Sequence, residues 1–207
     1  MSAGLQDIAK LCAELGHRVK EAAPPLDWEQ FVLNSMVYWT ANLPVWIDQI
    51  AAATGRPVDH TTLEATTLAC YHHGKSLKAT DLLQAMAYTN GVTRSTAAFF
   101  QKYDLLLSPT LPVPPLPLGS LNSNDATLGA EGWTRKVFLF TPLTPLFNMT
   151  GQPAISLPLA RTAHGLPLGM QFAARYGEEA TLLRLAAQLE QARPWPKVAP
   201  MASSRAN

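Results

Sequence analysis

A proline-rich stretch near the middle of the chain is the feature that most limits how it can fold. Five of the nine residues from Pro109 to Pro117 are proline. Because proline lacks a backbone N–H and holds φ near one value, this stretch excludes a helix or a central strand and favours a stiff, extended loop. The apolar run from Leu105 to Leu107 comes just before it and has the composition of a buried strand. We therefore expect a strand followed by a structural crossing, although Pro-x-x-Pro spacing also occurs in ligands of partner domains.

The residues before this strand carry mainly helical patterns. Apolar side chains recur three or four residues apart, and that spacing predicts helices. One helical pattern is interrupted at Pro44, which fits either two helices or one kinked helix. A short strand is predicted from His17 to Glu21, directly after Gly16 ends the first helix. The predicted helices run from Leu5 to Gly16, from Asp27 to Ala53, from Thr62 to His73 and from Asp81 to about Lys102.

After the proline-rich stretch, short apolar strands alternate with helices. A helix broken by prolines is predicted between Trp133 and Phe147, and a last helix begins at Glu178 and stops at Pro194. Strands are predicted from Ala154 to Leu159 and from Leu168 to Ala173. Short apolar strands separated by helices are typical of an α/β fold. The sequence thus predicts a partial mixed β-sheet covered by helices, with a helical first half.

The sequence divides into three segments. Residues 1–102 are expected to be mainly helical, and residues 103–195 to add the strands, the proline loop and the closing helix to the same domain. Residues 196–207 have too little apolar periodicity to predict an ordered element, so a flexible tail is expected.

Composition and charge exclude several classes of function. The chain has 207 residues, 47% of them hydrophobic, and a formal net charge of +1. This charge gives no electrostatic reason to expect nucleic acid as a partner, and no apolar run is long enough to predict a membrane span. The two cysteines have no metal or redox spacing, and no signal segment is evident at the amino terminus. A cytoplasmic location is therefore expected.

Four stretches follow one another in an order that resembles a known family. They are Tyr103 to Pro112, Phe147 to Pro158, Gly165 to Phe172 and Glu178 to Leu183. Together they resemble the carboxyl-terminal part of the amidase signature family. The resemblance implies an α/β fold and hydrolysis of carbon–nitrogen amide bonds by a serine nucleophile, a second serine and a lysine, without a cofactor.

The catalytic residues that the resemblance implies have no counterpart in this chain. In the family the serines lie in a stretch rich in glycine and serine, upstream of everything matched here. This chain has no adjacent glycines and no Gly-x-Ser-x-Gly sequence. A hydroxyl attacks an amide only when a base and oxyanion donors lie within reach. We therefore assign no catalytic residue and no metal ligand, and we expect the chain alone to be inactive.

Two groups of residues are candidates for contacts with a substrate. The resemblance implies that the loop from Asn148 to Pro153 approaches the substrate cavity, which makes Asn148, Thr150, Gly151 and Gln152 candidates. Trp39 and Asn42 lie in a helical pattern and could border an amide-binding pocket, because aromatic walls suit acyl groups and an asparagine can bind a carbonyl. Core packing is the competing interpretation for this second pair.

Two further patterns imitate functional motifs. Gly74, Lys75 and Ser76 look like the end of a phosphate-binding loop, but Ala69 stands where that loop requires glycine. Cys70, His72 and His73 could suggest a metal, but the chain has no second cluster at zinc-ligand spacing. A solvated helix end is the simpler interpretation of the second pattern. An enzyme with a new active site built from these side chains is the weakest hypothesis.

The leading hypothesis is a carboxyl-terminal amidase fragment that contributes pocket walls and scaffold. Its expected partners are the missing amino-terminal part of the same amidase and a small amide substrate, with self-association into a homo-oligomer also foreseen. The alternative is an autonomous binding or structural protein derived from the amidase fold.

Overall fold

The computed structural model describes residues 3–196, which form seven α-helices and three β-strands. The helices and strands follow one another as α1 (Ala3–Glu14), α2 (Trp28–Thr54), α3 (Ala65–Ser76), α4 (Ala79–Phe99), β1 (Leu105–Pro109), α5 (Ala130–Phe140), α6 (Pro145–Thr150), β2 (Ala154–Arg161), β3 (Pro167–Ala174) and α7 (Glu179–Ala192). The helical first half and the three short strands of the second half are as expected from the sequence.

The three strands form one sheet in the order β1-β3-β2. Both pairings are antiparallel. The α/β class and the partial sheet covered by helices are confirmed, whereas the described residues contain no parallel pairing. Strand β2 carries a register shift between Leu157 and Ala160. Pro158 lies within that irregularity, as expected for a proline in an edge strand, because it has no N–H to donate to the ladder.

One face of the sheet is covered by the first and last helices. Met170, Phe172 and Ala174 alternate along β3 and are almost completely buried. They pack with apolar side chains of α1 and α7, including Ile8 and Leu189, which are both fully buried. Alternate residues of a strand point to the same side of a sheet, so this two-residue spacing forms the core on this face.

A second core is centred on aromatic rings. Phe138 of α5 is fully buried, and its ring centroid lies 5.8 Å from that of Trp28 and 6.1 Å from that of Phe31. Ala173 of β3 belongs to the same cluster, so the aromatic core reaches the second face of the sheet. The aromatic cluster thereby connects the long helix α2 with the strands.

Helices α2 and α3 approach each other closely at Gly74. The α2 helix is one continuous helix that contains Pro44. Proline has no N–H, so the Thr40 carbonyl lacks its usual helical donor at position 44. A Cβ atom built on Gly74 would lie 2.0 Å from the Thr40 carbonyl oxygen. Glycine is therefore required at position 74 by this contact between backbones.

One predicted strand does not form, and the predicted tail lies mostly outside the described residues. The strand predicted from His17 to Glu21 is wrong, because these residues have no regular structure and are exposed. A strand needs a partner, and among the described residues only β1, β2 and β3 pair. The expected flexible tail lies almost wholly outside the described residues, at positions 197–207.

None of the described helices combines the length and apolar character needed to cross a lipid bilayer.

Candidate functional site

A row of polar side chains crosses the sheet on the face turned away from α1 and α7. Gln171 of β3 is the direct partner of Ser108 on β1 and of Ser156 on β2. Directly paired residues of neighbouring strands point to the same side. Both neighbours of Gln171 along the chain, Met170 and Phe172, point into the opposite core. The three polar residues therefore form one row across the sheet.

Gln171 is held in place by hydrogen bonds to two elements. Its Nε2 atom donates to Ser108 Oγ and to the Leu143 carbonyl oxygen, each at 3.3 Å. Gln171 is buried, with a relative exposure of 5%. Leu143 lies in the segment between α5 and α6, so Gln171 joins that segment to the sheet and keeps its own amide in a fixed position.

A pair of hydroxyl groups closes over the central strand next to this row. Thr110 Oγ1 lies 2.6 Å from Ser156 Oγ. Thr110 directly follows β1 and Ser156 lies in β2, so the two hydroxyl groups meet across β3, which lies between these strands. The backbone N–H of Thr110 donates to the Gly169 carbonyl oxygen at 2.9 Å. A Cβ atom on Gly169 would lie 2.7 Å from each hydroxyl oxygen. Glycine at position 169 thus leaves the space in which the two hydroxyl groups meet.

The end of α6 brings a second amide side chain to the same place. Gly151 ends the helix in the left-handed conformation, with φ of 79°, which glycine adopts readily. Gln152 follows and is buried, with a relative exposure of 6%. The Thr150 hydroxyl lies 2.8 Å from the Leu146 carbonyl oxygen and also contacts the Gln152 amide. Thr150 and Gly151 therefore position Gln152.

These groups surround a polar pocket of about 300 Å³. We call it the amide pocket. Its polar lining residues are Thr144, Asn148, Gln152, Ser156 and Gln171, and its apolar lining residues are Phe147, Ala154 and Ile155. No charged residue belongs to this lining. The pocket is thus suited to an uncharged polar group.

An apolar groove of about 350 Å³ adjoins the amide pocket. The proline-rich segment lines it from Pro109 to Pro115, and so does the first half of β3, from Pro167 to Met170. Ser156 lines both spaces. The polar pocket and the apolar groove therefore meet at the pair of hydroxyl groups.

The structure separates the residues predicted from the sequence into two groups. Asn148 and Gln152 line the amide pocket, while Thr150 and Gly151 lie behind Gln152. Trp39 and Asn42 lie on α2 and do not line this pocket. The Trp39 ring packs 5.1 Å from that of Phe138 and remains 41% exposed. A role for Trp39 and Asn42 in substrate binding stays a prediction.

Five polar residues of this site were not predicted from the sequence. They are Ser108, Thr110, Thr144, Ser156 and Gln171. A signal for the last two exists, because Ser156 and Gln171 each interrupt an apolar strand at one position, with apolar neighbours on both sides. A single polar residue in a buried strand points to the face opposite its apolar neighbours. The pairing that brings these residues together cannot be inferred from that pattern.

Residues of the two patterns that resemble a phosphate-binding loop and a metal site have structural roles. Lys75 Nζ donates to Asp48 Oδ2 at 2.5 Å, and Tyr71 donates to the same carboxylate at 2.7 Å. These two hydrogen bonds lower the pKa of Asp48. Burial raises the pKa of the Cys70 thiol, which disfavours the thiolate form that binds metals. Among residues 3–196 no group of three or more potential ligands is placed to hold a metal ion.

The lining of the amide pocket contains no group placed for nucleophilic catalysis. Its only serine, Ser156, pairs with the Thr110 hydroxyl. Attack by a serine needs a base such as histidine or lysine within hydrogen-bond reach. Neither residue type is part of the pocket lining. The arrangement can therefore position a polar ligand but does not by itself activate a nucleophile.

Sequence similarity connects this chain with amidases. The family model for Amidase matches residues 1–183. AmiC of Mycobacterium leprae, which is named as an amidase, is 38% identical over 193 residues, covering 92% of this chain and 40% of AmiC. The 6-aminohexanoate-cyclic-dimer hydrolase of Paenarthrobacter ureafaciens is 31% identical over 207 residues, covering 94% of this chain and 40% of the hydrolase.

Solved structures show the same relationship in the fold. A 6-aminohexanoate cyclic dimer hydrolase matches with a TM-score of 0.79 at 25% identity, over 96% of this chain and 42% of that chain. A bacterial aryl acylamidase of the amidase signature family matches in fold, with a TM-score of 0.70 at 17% identity, over 93% of this chain and 40% of that chain. The chain thus spans about 40% of the length of the curated relatives cited here.

Proposed function

Because this chain belongs to the amidase signature family, we propose that it supplies part of the substrate pocket of an amidase whose serine nucleophile lies outside the chain. The chain corresponds to a carboxyl-terminal portion of such an enzyme and matches about 40% of its relatives' length. The sequence stretch expected to carry the serines is absent from its 207 residues. Its own contribution is then binding and scaffold.

The proposed reaction is hydrolysis of a carbon–nitrogen amide bond. A serine of the missing part attacks the carbonyl, the amine leaves with a proton, and water then releases the acid from the acyl-serine intermediate. A small amide as substrate and a cytoplasmic location belong to the same proposal. The observation that carries it is the amide pocket, in which Gln152 and Gln171 are held by neighbouring groups and no charged residue intervenes.

Each candidate residue has a distinct role in this proposal. Asn148 and Gln152 contact the substrate, because both line the pocket. Thr150 and Gly151 act through Gln152. The Thr150 hydroxyl contacts the Gln152 amide, and the left-handed conformation of Gly151 sets the direction of the backbone at Gln152. Trp39 and Asn42 are proposed as a separate wall that meets the substrate only in the presence of the missing part.

The alternative of an autonomous binding or structural protein is not favoured. The family match covers residues 1–183, which include all the strands and the whole of the amide pocket. None of the described features requires a function separate from the amidase one.

The experiment that tests the proposal measures ammonia release from a panel of simple primary amides. The purified chain is assayed alone and after addition of an amino-terminal amidase piece, such as the part of AmiC that this chain does not match. We expect no release by the chain alone and turnover after mixing, because the two parts together complete the site. The added piece assayed alone is the control.

Two outcomes would contradict the proposal. Turnover by the chain alone that persists through repurification would mean that a catalytic group lies within it. Persistent inactivity of the mixture, with both parts folded and bound to each other by sedimentation, would mean that the chain does not complete an amidase site.

The isolated chain is also expected to self-associate. Trp39, Trp46 and Ile50 form an apolar stripe on one face of α2 and are 41%, 61% and 61% exposed. Covering one large apolar side chain is worth about 1.5–3 kcal/mol. We expect the sedimentation coefficient to rise with concentration, and the double change Trp46→Glu with Ile50→Glu to abolish that rise. Analytical ultracentrifugation provides the measurement.

The matched control for self-association is Leu183→Glu. Leu183 is 64% exposed on α7, away from the stripe. A chain that stays monomeric at all concentrations, or one in which Leu183→Glu disrupts association as strongly as the stripe variant, would refute this part of the proposal.

A further inference from the structure

Strand β1 has the composition and packing of a strand from the middle of a sheet. Leu105 and Leu107 are partly buried against the core that the sheet shares with α1 and α7, and Leu106 is partly buried against the aromatic core on the opposite face. Strands covered on both faces carry such continuous apolar runs, whereas a strand with one solvated face alternates. Yet β1 stands at the end of the order β1-β3-β2, and no described strand pairs with its outer side.

The hydrogen bonds to β3 determine which backbone groups of β1 point to that outer side. The pairing register continues to Thr110, whose N–H donates to the carbonyl oxygen of Gly169 opposite it at 2.9 Å. In an antiparallel ladder, hydrogen-bonded pairs alternate with pairs that are not hydrogen-bonded, so the even-numbered residues of β1 bond to β3. The N–H and C=O groups of Leu105 and Leu107 therefore point away from β3.

The other edge of the sheet, along β2, is built as an outer edge. Residues of β2 alternate between exposed and more buried positions, its register shifts midway, and Pro158 has no N–H to donate. The Leu159 carbonyl oxygen accepts from Arg193 Nη1 at 3.5 Å. Proteins use irregularities, prolines and positive charges in this way to prevent edge strands from pairing. The first four residues of β1 carry none of these devices.

We propose that the outer edge of β1 is the docking site for a strand of the missing amino-terminal part of the amidase. The identity of this partner rests on the proposed function. The match covers 40% of AmiC, so more than half of that relative's length is available to supply the strand. Leu105 and Leu107 offer N–H donors and carbonyl acceptors to the added strand. Pro109 has no N–H, so the new ladder ends there.

A strand at this edge adds its own side chains to the polar row of Ser108, Gln171 and Ser156. Directly opposed residues of neighbouring strands point to the same face, so the residue opposite Ser108 extends the row. Neighbouring strands lie about 4.8 Å apart, which places the added strand about 10 Å from β3 and Gln171. The docking edge therefore holds the missing part beside the sheet face that carries the amide pocket.

The first test measures amide hydrogen exchange in the chain alone, by NMR at concentrations where it is monomeric. We expect the Leu105 and Leu107 amides to exchange at least about tenfold faster than those of Leu106 and Ser108, because only the latter are hydrogen-bonded to β3. Similarly slow exchange at all of these amides in the monomer would overturn the proposal, since the outer edge would already be occupied.

The second test repeats the measurement after addition of the amino-terminal piece, here the part of AmiC that this chain does not match. We expect the exchange of Leu105 and Leu107 to slow at least about tenfold on binding. Ala154 and Ser156 are the internal controls, because the same alternation directs their N–H groups to the outer edge of β2. Slower exchange at the controls alone, or at neither pair while sedimentation shows the piece bound, would overturn the proposal.

Two proline variants locate the contact. Leu105 and Ala154 are the first residues of β1 and β2, and both N–H groups point outward, so proline at either position removes no hydrogen bond of the ladder. We expect Leu105→Pro to weaken binding of the amino-terminal piece at least about tenfold by sedimentation, and Ala154→Pro to leave it unchanged. Equal binding by both folded variants would refute the docking site. If circular dichroism shows Leu105→Pro to be unfolded, the exchange measurements on the unmodified chain decide.

These tests are independent of turnover. They measure protection and binding, whereas the proposed function is tested by ammonia release. Protection of Leu105 and Leu107 without turnover would contradict only the amidase proposal, and turnover without that protection would contradict only the docking edge.

Discussion

Replacing Gly74 with alanine is expected to lower the free energy of unfolding of this chain by roughly 3 kcal/mol. The new methyl carbon would lie 2.0 Å from the Thr40 carbonyl oxygen and 2.9 Å from Pro44 ring carbons. A backbone carbonyl cannot rotate away as a flexible side chain can, so α2 and α3 must separate. Urea denaturation followed by circular dichroism measures the change.

Gly91→Ala is the matched control for this prediction. Gly91 lies inside α4 and is exposed. Apart from its chain neighbours and the backbone of its own helix, no atom lies within 4 Å of the position where a Cβ would be added. Alanine there is expected to raise stability by about 0.5–1 kcal/mol, because glycine is the poorer helix former. If the two variants changed stability in the same direction and by similar amounts, the close approach at Gly74 would not be the cause.

Replacing Phe138 with alanine is expected to lower the free energy of unfolding by about 3–5 kcal/mol. The Phe138 ring is fully buried and lies among the rings of Trp28, Phe31 and Trp39, with centroid distances of 5.8, 6.1 and 5.1 Å. Its removal leaves a cavity that these large, mutually packed rings cannot fill. The same urea titration measures the loss.

Leu139→Ala tests whether burial is the reason. Leu139 is the next residue of the same helix and is 69% exposed. Its truncation is expected to change stability by no more than about 0.5 kcal/mol. A large loss at Leu139, or a loss at Phe138 below about 1 kcal/mol, would contradict the placement of the aromatic core.

Local patterns in the sequence predicted the helices and strands well, because each depends on neighbours along the chain. The apolar run at Leu105 to Leu107 and the alternation around Met170 identify strands from their own residues. The segment His17 to Glu21 failed for the opposite reason. A strand also requires a partner at its edge, and that partner is a distant part of the chain.

Pro44 shows the same limit in a helix. The pattern around it allowed two helices or one, and the structure has one. The contact with Gly74 lies thirty positions away, so no local pattern contains it. The Thr40 hydroxyl adds a second connection there, because it lies 2.8 Å from Nδ1 of His73 on α3. The part of α2 around Pro44 therefore also contacts α3, through Gly74 and His73.

The site could be predicted only in part. The segment from Asn148 to Pro153 was predicted as a loop through a resemblance, and its first three residues instead form the end of α6. Two residues of this segment, Asn148 and Gln152, line the amide pocket. The other half of the pocket comes from cross-strand pairing of Ser156 with Gln171. Register is a property of the assembled sheet, which explains why neither residue was a candidate.

Trapping the acyl intermediate tests most directly whether the nucleophile lies outside this chain. The mixture of this chain with the amino-terminal amidase piece is quenched during turnover of butyramide, and the peptides of both parts are analysed by mass spectrometry. We expect a butyryl group on a serine of the added piece and none on the 207-residue chain. A butyryl group on a residue of this chain would contradict the proposal that the nucleophile lies outside it.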